Sequence, residues 1–133
     1  MSDNDNVKIV QDGYAEFLRG DIPAVLNRFA DDLEFTTPGA PVVPYAGTKR
    51  NKNELAGFFQ KLNETVNISL FEPREYVAHG DRVVALGHYA GEVRSTGKAF
   101  ASDWAMVWTI RDGKVTRFHE YSDPSELKAG FGA

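Results

Sequence analysis

From Val7 to Gly20 the apolar residues Val7, Val10, Tyr14, Phe17 and Leu18 recur every three or four positions, the period of a helix that buries one stripe. Gly20 ends it, Asp21 is placed to cap a second helix with Pro23 in its first turn, and Ala24, Val25, Leu26 and Phe29 supply that helix's apolar face. Between Asp32 and Thr37 the period changes to two, with Leu33, Phe35 and Thr37 opposing Glu34 and Thr36, so a short strand is expected before Pro38-Gly39 breaks it. Gly39 to Gly47 is rich in proline and glycine and reads as a loop over the domain that carries Tyr45. Asn51 or Asn53 caps a third helix striped by Leu55, Phe58, Phe59 and Leu62. Strands follow at Val66 to Ala78 and Arg82 to Arg94, joined by a Gly80-Asp81 turn, and Thr96-Gly97 leads into a long hairpin from Ala99 to Asp123. Asp112-Gly113 sits at its tip, a pair suited to a turn in which both central residues have positive φ. The first arm puts Trp104, Met106, Trp108 and Ile110 on one face and Ala105 and Val107 on the other, so both faces need cover. A short helix capped by Asp123 ends the chain. Helices collected early and strands joined in succession by tight turns predict an α+β domain, an antiparallel meander packed on one side by helices.

Composition narrows the class further. At 133 residues the chain suits one hydrophobic core, and 42% hydrophobic with 26% charged residues is the balance of a folded domain. A net charge of −4 with scattered basic residues argues against a nucleic-acid groove. With no cysteine there is no disulfide, thiolate ligand or thiol nucleophile. The polar start MSDNDN is unlike a secretory leader, no apolar run is long enough to span a membrane, and a cytoplasmic location is expected. Residues 1–6 are expected to be disordered. His79, His88 and His119 lack metal-ligand spacing, and Asp31-Asp32 reads as a helix end or turn, so no metal is expected. No cofactor motif is present, and no cofactor is expected.

The order of elements, with the segments YAEFLRGDIPAVLNRFADDLEFTTPG, YAGTKRNKNELAGFF and DWAMVWTIRDGKVTRFHEYSD, resembles the SnoaL-like and ketosteroid-isomerase-related branch of the nuclear-transport-factor-2-like superfamily over nearly the whole chain. The resemblance implies a single domain over residues 1–133 with a cystatin-like cone, a curved antiparallel sheet wrapped around three N-terminal helices. The open end of the cone would hold a mostly apolar small molecule, and two copies would pair through the outer face of the sheet. It also implies an isomerase, cyclase or dehydratase working by proton transfer on an apolar carbonyl compound, or else a non-catalytic ligand-binding or interaction module of the same fold. In the isomerases a tyrosine of the first helix binds the developing enolate, and Tyr14 matches it. The place of the isomerase base, just before a proline at the end of the first strand, is held by Thr37. The family's second acid lies seven residues before the hairpin glycine, and counting back from Gly113 gives Met106.

Other residues can replace these acids. The same count from Gly113 puts Phe118, Glu120 and Ser122 on the pocket side of the last strand and Arg117, His119 and Tyr121 outside. Glu120 has two readings: an ion pair with a nearby arginine that holds the sheet, or a carboxyl whose proton affinity is raised by aromatic surroundings for acid-base work. Tyr89 is in phase with Gly87 and Gly91, whose lack of side chains would leave room for a ligand, and it is the second proton-transfer candidate; a one-residue bulge would put His88 in the pocket instead. Asp103 is expected to pair with Arg82 or Arg94. Phe35, Thr37, Tyr45, Phe59, Trp104, Met106, Trp108 and Phe118 complete the expected lining.

Overall fold

The structure is a computed structural model, and it describes residues 2–132. Helix α1 runs over Asp3–Leu18 and α2 over Ile22–Asn27; strand β1 is Phe29–Thr37, β2 Gly47–Lys49, and helix α3 Lys52–Thr65. The long strands β3 (Val66–His79), β4 (Arg82–Val93), β5 (Ala99–Arg111) and β6 (Lys114–Ser122) follow, and α4 (Ser125–Gly130) closes the chain. The six strands form one sheet in the order β2-β1-β6-β5-β4-β3. Neighbours are antiparallel except β1 and β6, which run parallel.

The local signals explain most of these boundaries. Asp21 accepts a hydrogen bond from the Ala24 amide at the start of α2, and Asn51, of the two candidate caps, accepts one from the Glu54 amide at the start of α3. Asp112 and Gly113 both take positive φ, 51° and 77°, and turn β5 into β6.

Four expectations need correction. α1 starts at Asp3, because Ser2 and Asp5 form a reciprocal capping box and the Asn6 amide donates to the carbonyl of Gly80 in the β3–β4 turn. Ser2 to Asn6 are thus tied down, while Met1 lies outside the described residues. Phe29 opens β1 instead of ending α2, and Asp31 and Asp32 are exposed strand residues beside an irregularity in the pairing with β6. β2, which starts at the last residue of the expected loop, is a three-residue strand too short to show a period. Finally, Pro124 and not Asp123 is the cap of α4, although the Asp123 carboxyl does accept from the Ser125 amide.

The sheet is curved by interruptions in its ladders. β3 carries bulges between Ile68 and Leu70 and between Pro73 and Glu75, opposite Gly91 and Gly87 of β4. A Cβ on Gly87 would collide with the Glu72 carbonyl and lie 2.5 Å from Cζ2 of Trp104; one on Gly91 would collide with the Asn67 carbonyl and lie 3.0 Å from Cζ of Phe100. The glycines therefore admit the bent edge strand and two aromatic rings of β5, and not ligand volume as the sequence reading proposed. Inside the curve, α1 and α3 pack against the concave face, and the core of Val10, Phe29, Leu33, Leu55, Val83 and Val115 is almost fully buried. No helix among the described residues is long and apolar enough to cross a membrane.

Candidate functional site

Along β6 the alternation sends Phe118 and Glu120 into the concave face, where both line a cavity of about 90 Å³. Its walls come from all four helices, the β1–β2 loop and the concave faces of β1 and β3–β6, and nearly all of them are apolar. Phe118 stacks on Phe35 with centroids 4.3 Å apart and meets Trp108 edge-on at 4.8 Å. These rings make the bed on which the polar groups sit.

Glu120 is 9% exposed and has no arginine or lysine partner among the described residues. Its Oε2 accepts hydrogen bonds from the Tyr89 hydroxyl at 2.9 Å and from Ser122 Oγ at 2.7 Å, and those two hydroxyls are 3.3 Å apart. Oε1 receives no hydrogen bond from the described residues. Burial pushes the Glu120 carboxyl above the usual carboxylate range, and the two hydroxyl donors offset only part of that. Both hydroxyls donate to Oε2, so in the protonated form of the carboxyl the proton sits on Oε1. The ion-pair reading of this residue is thereby replaced: its partners are hydroxyls.

Three more polar side chains enter the same space. Thr37 is the last residue of β1, one step past the parallel pairs Phe35–Phe118 and Thr36–His119, which places it beside Glu120. It is 5% exposed, lines the cavity, and its Oγ1 is buried with no hydrogen-bond partner. Tyr45 reaches in from the loop before β2; burial raises its hydroxyl pKa, and the nearby Glu120 adds to the effect. Tyr14 of α1 accepts from Trp108 Nε1 at 3.0 Å and donates to the sulfur of Met106 at 3.2 Å. Its pKa is raised, mainly by burial, so it stays a neutral donor. Sulfur is a weak acceptor, and an arriving carbonyl oxygen would take that proton's hydrogen bond at little cost. Met106 thus holds the Tyr14 hydroxyl loosely.

Of the expected lining residues, the cavity brings together Phe35, Thr37, Tyr45, Phe59, Met106, Trp108 and Phe118 with Tyr14, Tyr89 and Glu120. Trp104 stands behind this wall, stacked on Phe71 at 5.3 Å and tilted against Tyr14 at 5.8 Å. His88 is on the opposite face of the sheet, where its Nδ1 lies 2.8 Å from Asp103 Oδ1; Asp103 pairs there with a histidine, not with the arginine expected for it. Regular pairing holds through this stretch of β4 and β5, His88 opposite Asp103 and Tyr89 opposite Ser102, so no bulge exchanges the two residues. Phe17, Phe58 and Phe71 also line the cavity and were not expected. The first two belong to apolar helical stripes that mark only a buried face, and the bulge beside Leu70 hides the phase of Phe71.

Known proteins share this fold over nearly the whole chain. A crystal structure of an NTF2-like protein from Burkholderia xenovorans superposes with a TM-score of 0.90 at 42% identity, covering 99% of each chain. TerC, co-crystallized with polyporic acid, has a TM-score of 0.84 at 27% identity, covering 97% of this chain and 99% of its own. A candidate polyketide cyclase from Xanthomonas campestris shares the fold with a TM-score of 0.78 at 23% identity, covering 98% of each chain. Residues 10–118 match the SnoaL-like domain family, and the chain belongs to that family within the NTF2-like superfamily.

Proposed function

We propose that the protein is a cofactor-independent proton-transfer enzyme, of isomerase, cyclase or dehydratase type, acting on an apolar ring carbonyl compound. The observation that carries this reading is Glu120: a buried carboxyl held by two hydroxyls, without a cation, on the wall of an aromatic cavity. A raised proton affinity brings such a group toward the operating range of a general acid-base catalyst. In the reaction, ionised Glu120 takes a proton from the carbon next to the carbonyl, the electron pair moves into an enolate, and the Tyr14 hydroxyl turns from the Met106 sulfur to the enolate oxygen. Glu120 then returns the proton to a second carbon, or the enolate carbon attacks a second carbonyl carbon of the same substrate, whose C=O π bond breaks while its oxygen takes the proton from Glu120. Tyr89 and Ser122 hold the carboxyl in place, and Thr37 with Tyr45 offers hydroxyls to the substrate's remaining oxygens.

The similar protein TerC, which crystallizes with the small molecule polyporic acid, supports occupancy by a compound from outside. We also propose that two copies pair through the convex face of the sheet, where Tyr121 is 52% exposed and Leu86, Ala105 and Val107 are half-buried. Sedimentation at micromolar concentration tests the pairing, and a monomer would refute it.

The enzymatic reading is tested by incubating the protein with tetralone or cyclohexanone in heavy water and following deuterium uptake beside the carbonyl by NMR. Catalysed uptake, lost in Glu120→Gln while the ketone still binds, is the expected result. Thr37 and Met106 stand where ketosteroid isomerases carry acids, which favours a second reading, a non-catalytic binding protein. Binding of these ketones without any catalysed uptake would establish that second reading instead.

A further inference from the structure

Outside the cavity lies a wider groove of about 630 Å³, bounded by the α1–α2 turn, one face of α3, the first half of β3 and the end of β4. Six side chains, Phe17, Phe59, Leu62, Val66, Ile68 and Phe71, line both spaces. Phe17 is the hub of the partition, with centroids 6.0 Å from Phe59 and 5.3 Å from Phe71. Those three rings are half-buried, with one side toward the interior and the other toward water. The groove continues the apolar surface outward: Leu18 and Leu70, two of the four large hydrophobics that stand most exposed, are on its walls. Its polar wall residues are Gln60, Asn63, Asn67, Ser69 and Arg94. Among the described residues no acidic side chain lines it, although the chain carries a net charge of −4, and Arg94 is its one cation. The Arg94 side chain is posed by a hydrogen bond from Nε to the Asn63 carbonyl, which leaves both terminal nitrogens of the guanidinium for a partner.

We infer that the groove is a second compartment of the binding site, filled by an apolar chain on the ring of the same ligand, with an anionic group at the chain's far end against Arg94. This rests on the cavity being a ligand site and adds the substrate class: an amphiphile with an oxygenated ring inside, a hydrocarbon stem between the three phenylalanines, and a carboxylate or similar group outside. The two spaces share these walls, so a substituent directed away from Glu120 reaches the groove by passing between the Phe17, Phe59 and Phe71 rings. The phenylalanines would then set specificity by admitting a slender unbranched stem and rejecting a second ring.

The test uses para-alkylphenols, from phenol itself to para-hexylphenol, and the matching omega-(4-hydroxyphenyl)alkanoates, with binding to the wild-type protein read by calorimetry and by quenching of tryptophan emission. Affinity is expected to rise about fourfold per added methylene once the stem reaches the groove, the effect of burying that group. The carboxylated series is expected to gain a further factor of about three, lost in Arg94→Ala and in high salt. Phenol binding with no dependence on stem length overturns the second compartment and leaves the cavity reading intact. A stem effect with no difference between wild type and Arg94→Ala overturns the anionic end alone. If no member of either series binds, the cavity reading falls and takes this inference with it.

Discussion

Glu34 and Glu120 belong to adjacent strands of one sheet, and their carboxyls live under opposite conditions. Glu34, on the convex face of β1, accepts from Arg117 Nε at 2.7 Å and from Arg50 at 3.1 Å, and its side chain is about a third exposed. The hydrogen bond from Arg117 holds it below the usual carboxylate range. Glu120 is buried on the concave face and has only hydroxyl partners, and burial holds it above that range. Arg117 and Glu120 are three residues apart on β6, so strand alternation alone sends the cation to one face and the acid to the other. A carboxyl locked to a guanidinium at neutral pH is a strut. The same group given hydroxyls and an aromatic wall binds a proton more tightly than a free carboxyl.

The largest effect that sharpens this contrast is expected from Glu120→Gln, which keeps the shape and removes the titration. Deuterium exchange of a bound ketone should fall by about 10²- to 10⁴-fold, the usual share of a general base, with ketone affinity little changed. Stability supplies a second reading that needs no substrate. With its proton affinity raised by folding, Glu120 binds more proton in the native than in the unfolded chain between the two pKa values, so the wild type loses stability as pH rises through that window. The glutamine variant lacks this loss. Its thermal midpoint should therefore gain on the wild type as pH rises above the unfolded carboxyl pKa and show no such gain below it. Parallel curves for the two proteins would mean that Glu120 is not held neutral by the fold.

Tyr89→Phe comes next. It deletes the donor at 2.9 Å from Oε2 without opening a cavity, and a lost buried hydrogen bond costs about 1–3 kcal/mol. Tyr89 favours the ionised form of Glu120, so the variant should move the acidic limb of the exchange rate to higher pH. A tyrosine that merely packs would lower the melting temperature and leave the limb where it was.

Most of this contrast is legible along the chain, because strand period is a strong signal once one turn is known. Gly113 fixes the tip of the hairpin: seven residues back is Met106, its cross-strand partner seven residues on is Glu120, and alternation from there places Phe118 and Ser122 inside and Arg117 and His119 outside. The caps Asp21 and Asn51 and the helical stripes are read in the same way. What escapes is whatever depends on a neighbour distant in sequence. Nothing near Phe29 says that it leaves α2 to open a strand, since its spacing suits the apolar stripe of the helix. The parallel pairing of β1 with β6 sets Thr37 beside Glu120 across more than eighty residues of chain, and no local pattern encodes it. Gly87 and Gly91 announce close approach without naming what approaches, and the answer proves to be Trp104, Phe100 and a bent strand. The ring contacts of Phe17, Phe59 and Phe71 likewise join α1, α3 and β3, which become neighbours only when the cone closes.

The smallest expected effect belongs to Glu34→Gln, and its sign is the sharpest check on the comparison. The pair with Arg117 and Arg50 is partly exposed, so solvent and salt screen it and its loss should cost about 0.5 kcal/mol. Folding lowers the Glu34 pKa, so the unfolded chain binds more proton in the window between the two values, and the pair's stabilisation is present above the unfolded value and disappears as pH falls through the folded one. Wild type minus Glu34→Gln should therefore rise with pH near the carboxylate range, whereas wild type minus Glu120→Gln falls with pH. High salt should erase the first difference and spare the second, since only the first pair is open to ions. The exchange rate of a bound ketone should not respond to Glu34→Gln at all, because the sheet lies between that carboxyl and the cavity. Two slopes of the same sign, or a loss of exchange in Glu34→Gln, would show that the faces of the sheet are not electrically separate as their partners require.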